Sequence, residues 1–128
     1  MIDFTTLRLN WKPNQFLLAP AGLCGNAQPH MESPVFDCPP RELMKRVRGI
    51  ALSQPRVTER TAADSRETGA VFVARSRVFR FPDVIDVEAI DAGDGRSALA
   101  VYSRAKVGIR DFGVNRKRIE DWISRLQK

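Results

Sequence analysis

Six of the eight prolines fall within the first 40 residues: Pro13, Pro20, Pro29, Pro34, Pro39 and Pro40. Each locks φ and removes a backbone donor, so no helix of ordinary length fits between them before Pro40 itself. The chain is therefore expected to divide into an extended N-terminal arm over residues 1–33 and one α+β domain over residues 34–128. Trp11, Phe16, Leu17, Leu18, Val35 and Phe36 supply the arm with apolar anchors, so it should lie across the core. Residues 16–19 and 35–36 read as short edge strands.

A helix is expected over residues 40–52. Proline at the first helical position is pre-organised, Glu42 suits the positive end of the helix dipole, and Leu43, Met44, Val47, Ile50 and Ala51 form one apolar stripe. Lys45, Arg46 and Arg48 fall on its outer face, and Pro55 prevents continuation. Strand-like runs follow at 56–62, 70–81, 84–90 and 97–107. The last two flank Asp91-Ala-Gly-Asp-Gly95, a glycine-rich hairpin signal. Within 84–90, Ile85, Val87 and Ala89 alternate with Asp86 and Glu88, as in a strand buried on one face and wet on the other. A second helix over 115–126 is marked by Ile119, Trp122, Ile123 and Leu126 at helical spacing, with Asn115 as its cap. The expected fold is thus α+β: an antiparallel sheet of three to five strands, two helices on one face, and a preceding Pro-rich arm.

At 128 residues the chain suits a single core. Net charge is +6, and 104–128 holds eight cations against three acids, while 83–94 holds five acids and no cation. An evenly basic nucleic-acid surface is not what this pattern describes, and the usual recognition signatures are missing. No apolar run approaches the length of a membrane helix. The N-terminus, with Asp3 and no long apolar stretch, does not read as a secretory signal, so cytoplasmic residence is expected, or envelope association if a leader has been removed. Cys24 and Cys38 read as free thiols rather than a disulfide. With His30 they supply neither the number nor the spacing of metal ligands, and no cofactor motif is present. His30 has no neighbour to orient it, and neither Ser76 nor Ser103 has the setting of a nucleophile. A binding domain is favoured over an enzyme.

The chemistry-bearing residues lie in two blocks. Arg75-Ser-Arg-Val-Phe-Arg-Phe-Pro-Asp83 places Arg75 and Arg77 on one face of an expected strand, with Arg80 on the other. Tyr102-Ser-Arg104 ends another strand, and Asp111-Phe-Gly-Val-Asn-Arg-Lys-Arg118 opens the last helix with three cations where the helix dipole disfavours them. Two readings stay open. Arg75, Arg77, Arg104, Asn115, Arg116 and Arg118 form a pocket for an anion, because guanidinium forks and helix N-termini suit phosphate and carboxylate. Alternatively Arg75, Arg77 and Arg104 pair across strands with Asp86 and Glu88, Asp83 and Asp111 pin loops, and the domain serves as a structural or accessory interaction module. The implied partner is a small anion or a protein.

These same blocks, R-S-x-x-F-R-F-P-D and S-R-x-x-x-G-x-x-D-x-G-V-N-R-x-R, resemble the signature segments of domain-of-unknown-function family 1499, over about residues 34–126. The resemblance implies a fold neighbourhood and no assigned reaction. By position it points to Arg75, Phe79, Arg80, Phe81, Pro82, Asp83, Ser103, Arg104, Gly108, Asp111, Gly113, Asn115, Arg116 and Arg118 without dividing them between binding and fold; Arg80, Phe81, Pro82, Asp83, Asp111 and Gly113 are expected to form a structural motif. It also implies that Lys117, outside the recurring pattern, is a solvated charge.

Overall fold

The computed structural model describes residues 1–60 and 65–128. In chain order these form strands β1 (Gln15–Ala19), β2 (Met31–Glu32) and β3 (Val35–Phe36), helix α1 (Pro40–Ser53), strands β4 (Val57–Arg60), β5 (Gly69–Arg75), β6 (Pro82–Gly93) and β7 (Arg96–Ala105), and helix α2 (Val114–Leu126). One seven-stranded sheet runs in the order β2-β1-β7-β6-β5-β4, with β3 pairing on β7. All pairs are antiparallel except β1 with β2.

The α+β class and the two helices are as the sequence predicts, but the sheet is larger than the three to five strands expected. Three of its strands come from the proline-rich third: residues 16–19 and 35–36, expected only as edge strands of an arm, are built into the sheet as β1 and β3, and β2 was not expected. β1 is no edge strand: it lies between β2 and β7. Its composition explains why, since Phe16 and Leu18 face one core cluster while Leu17 and Ala19 face another. A strand apolar on both faces must be covered on both.

The helix-side core holds Leu43, Met44 and Val47 of α1 with Ile119, Trp122 and Ile123 of α2 against Phe72, Ile85, Val87 and Leu99 of the sheet. The opposite face is not wet, as the alternation of β6 suggests. Phe4, with only 2% exposure, packs there with Leu17, Ala100 and Tyr102, joined by Ile2, Leu7, Leu9 and Leu23. Cys24 borders this far-side cluster and Cys38 sits in the helix-side one, so the sheet separates the two free thiols.

The Asp94-Gly95 turn joins β6 to β7 as expected. Both residues take positive φ, 54° and 73°, which matches the right-handed strand twist of a two-residue hairpin. The run expected to be one strand over 70–81 instead stops at Arg75. Residues 76–81 form a hairpin loop, closed by a bond from Ser76 N to Phe81 O (3.0 Å) and another from Phe81 N to Ser76 Oγ (2.9 Å). The strand expected at 56–62 is present as Val57–Arg60; Thr61 and Ala62 lie outside the described residues.

Candidate functional site

The fold gathers three loops at one end of the sheet. Asp83 pairs with Ala105 and Gln15 with Arg104, so the loops before β6, after β7 and before β1 emerge side by side. Lys106 N donates to Pro82 O (3.0 Å), and Ala105 N donates to Asn14 O (2.9 Å). Arg75 N donates to Arg56 O (3.0 Å), bringing the start of β4 to the same end.

Beneath the loops is a buried polar network. Asp111 accepts from the backbone N–H of Gly113 (2.9 Å) and of Asn115 (3.1 Å), and from Asn115 Nδ2 (2.7 Å). Asn115 is therefore not the helix cap predicted from sequence. Gly113, left-handed at φ 81°, occupies the cap position, and the Asp111 carboxylate caps from outside the helix. That places a negative charge at the positive end of α2 and offsets its basic first turn. Asn115 itself has 0% exposure. Its Oδ1 accepts from Ser103 Oγ (2.5 Å) and Arg118 Nη1 (2.7 Å), and its Nδ2 donates to Asn14 O (3.1 Å). Arg118 also reaches Asp83 Oδ2 at 3.1 Å. Burial pushes the Asp83 carboxyl above its ordinary value; Arg118 opposes the rise, and nearby Asp111 adds to it.

The six candidate ligand-binding residues do not converge. Arg104 turns to the far face, where its guanidinium meets Asp86 at 2.5 Å and lies 4.8 Å from the Tyr102 ring centre. Asp86 is itself buried, and it accepts from Ile2 N (2.9 Å). Arg116 is exposed, pairs with Glu120 at 3.5 Å and hangs over Phe16. Asn115 and Arg118 belong to the network. Arg75 donates to Arg80 O (3.0 Å), and Arg77 stands on the hairpin loop rather than beside Arg75 on a strand. Arg80 takes φ 60° there, while Phe81 stacks on Phe79 with ring centres 5.4 Å apart.

Between the 76–81 loop and the 106–113 loop lies a groove of about 460 Å³. Its walls include Phe81, Val107, Phe112 and Val114; Arg56, Arg75 and Arg110 stand around it, with Asp83 and Arg118 also in its lining. Arg56, Arg80 and Phe112 all take positive φ, 60°, 60° and 54°. Such conformations are unfavourable for bulky L-residues and collect where a side chain is held for a purpose. Phe112 is held with 88% of its surface exposed.

Asn14, Arg56, Arg110 and Phe112 were not among the candidates read from sequence. Asn14 has 2% exposure and donates from Nδ2 to Gly108 O (2.8 Å), tying the first third of the chain to the loop before α2. A single asparagine after a proline reads as a turn residue, and nothing local distinguishes it. His30, expected to have no neighbour to orient it, has two in the fold: it stacks on Phe16 at 5.1 Å, and its Nδ1 accepts from Leu17 N (2.9 Å). No group of three or more potential metal ligands occurs among the described residues, and no helix among them is long and apolar enough to cross a membrane.

No curated protein and no solved structure matches the chain. A family model does match, over residues 9–126, nearly the whole length and including β1 and Asn14. That span takes in both arginine blocks and the network beneath the groove, and the chain belongs to the family described as "Protein of unknown function (DUF1499)".

Proposed function

We propose that this chain is a non-enzymatic binding domain whose groove receives an amphipathic anion. The supporting observation is the pairing of cationic and apolar lining in one concavity: Arg56, Arg75 and Arg110 beside Phe81, Val107 and Phe112. A guanidinium fork suits a carboxylate or phosphate, and the aromatic and aliphatic wall suits the apolar part of the same molecule. The cluster differs in membership from the one expected. Arg104 and Arg116 lie outside it, and Arg118 shares its guanidinium with Asp83.

Thermal-shift titration with octyl phosphate, decanoate, inorganic phosphate and octanol tests the reading. The two amphipathic anions should raise the melting temperature and the other two should not, since saturating binding stabilises by mass action, about 2.7 kcal/mol at a hundredfold excess over Kd. Arg75→Ala with Arg110→Ala should abolish the rise. No stabilisation at millimolar concentration by either amphipathic anion would sink the idea.

A second reading draws on Arg104–Asp86 and Arg118–Asp83. Those pairs support a structural or accessory protein-interaction domain in which the arginines neutralise internal carboxylates. Affinity capture by the intact chain, unaffected by the Arg75 and Arg110 substitutions, is the result that would favour it.

A further inference from the structure

Eight of the ten most exposed large apolar side chains among the described residues belong to the three loops at the groove end or to the first residue of α2. Trp11 (75% exposed) stands on the loop before β1, Val78 (75%) and Phe79 (74%) on the β5–β6 loop, and Phe112 (88%) on the loop before α2. They project from separate loops rather than forming one flat face. Cations alternate with them: Lys12 follows Trp11, Arg77 and Arg80 bracket Val78-Phe79, and Lys106 and Arg110 bracket Val107-Gly-Ile109. The one acid in residues 10–14, 76–81 and 106–113, Asp111, is turned inward to α2. Among the described residues, Arg77 and Arg110 take no charged partner.

From this geometry we propose that the loop end of the molecule docks on an anionic lipid surface. Trp11, Phe79 and Phe112 enter the headgroup boundary, and Lys12, Arg77, Arg80, Lys106 and Arg110 stay at phosphate level. Charge complementarity selects this occupant. A cationic ring around short apolar tips gains from anionic headgroups and from burial at once, and tryptophan is favoured at that depth. Single-stranded nucleic acid stacks on aromatics spread over a groove or sheet platform. Here the helices and residues 1–9 cover both sheet faces, and the aromatics stand at loop tips. The inference goes beyond the proposed ligand of the groove: Arg110 and Phe112 border both surfaces, but Trp11, Lys12, Arg77, Phe79, Arg80 and Lys106 take no part in the groove's lining.

Co-sedimentation of the full chain with phosphatidylcholine vesicles, with and without phosphatidylglycerol, tests the proposal. Binding should require the anionic lipid, weaken with salt, and bring quenching of Trp11 by brominated acyl chains over the constant background of buried Trp122. Arg77→Glu with Arg110→Glu should lower partitioning by more than tenfold, at about fivefold for each cation removed. Phe79→Ser with Phe112→Ser should lower it at least tenfold, with circular dichroism unchanged since both rings are exposed. The groove pair Arg56→Ala with Arg75→Ala, which leaves every membrane-facing cation in place, should lose octyl phosphate stabilisation and keep vesicle binding, and so separates failure here from failure of the ligand reading. No binding to anionic vesicles, binding indifferent to the loop substitutions, or a loop-dependent dimer without lipid would each overturn the proposal.

Discussion

The two turns that bound β6 are built differently. At one end Asp94-Gly95 is a two-residue turn whose geometry comes from the backbone, surrounded by Asp91, Asp94 and Asp37. Asp37 is answered there by Arg96 at 2.9 Å. At the other end six residues, Ser76 to Phe81, carry two arginines and two exposed phenylalanines above the Asp111–Asn115–Ser103–Arg118–Asp83 network. A tight turn holds itself by φ and ψ; a wide apolar loop needs a buried scaffold below it. The turn after β6 thus lies among acids and the loop before it among arginines.

Arg118→Ala is the substitution that strikes hardest at the contrast. It leaves Asp83 without its cation and removes donors from Asn115 and Ser103, so a loss of about 3 kcal/mol is expected from partly buried pair and hydrogen-bond removal. Urea denaturation would show it, together with faster amide exchange across 106–113; a loss no larger than that of a surface arginine would erase the distinction between the ends.

At the acidic end, Gly95→Ala should cost about 1 kcal/mol through left-handed strain alone. A Cβ there meets nothing within 4 Å, so no clash adds to it. A much larger loss in the same assay would show that this turn too rests on packing.

Between the ends, His30 makes stability depend on pH. Burial, and then the charge of Arg116, holds its pKa below the ordinary 6.5. The unfolded chain therefore binds this proton more readily than the folded one, so the stability is present above 6.5 and lost as pH falls from there through the depressed value. His30→Gln should flatten that part of the pH profile of the urea midpoint. An unchanged slope would remove His30 as its source.

The smallest effect is expected from Arg116→Ala. Its partner Glu120 is one helical turn away and both are exposed, so the change should stay within about 0.5 kcal/mol. Set beside Arg118→Ala in one denaturation series, it measures how differently two arginines of the same helix turn are used.

Periodicity made the helices legible, because Leu43, Met44 and Val47 or Ile119, Trp122 and Ile123 leave a 3.6-residue stripe wherever they pack. The alternation of β6 was legible for the same reason, and Asp86 does face away from Ile85 and Val87. Its burial was not legible, since the covering side chains, Phe4 and its neighbours, lie some eighty positions away in sequence. The β5–β6 loop was hidden by its own composition: Arg77, Val78 and Phe79 suit a strand, and the reversal is fixed by Ser76 bonding to Phe81 and by the pairing of Arg75 with Pro82. Which arginines converge depends on that reversal. Arg75 and Arg118 reach the groove, while Arg104, two residues beyond Tyr102 on the same strand face, is carried to the opposite side.

The placement of β1 also sets a timetable. Of the strands of this sheet it leaves the ribosome first, yet its antiparallel neighbour β7 is made last among them, and Asn14 waits for Gly108 and Asn115, 94 and 101 positions later. Until then Phe16-Leu-Leu-Ala19 is an apolar segment without the antiparallel neighbour it pairs with. Folding dominated by such distant pairings is slow, and the nascent chain is exposed to aggregation in the interval. The asparagine that ties the loops together thus also holds the sheet open until Gly108 and Asn115 have been made.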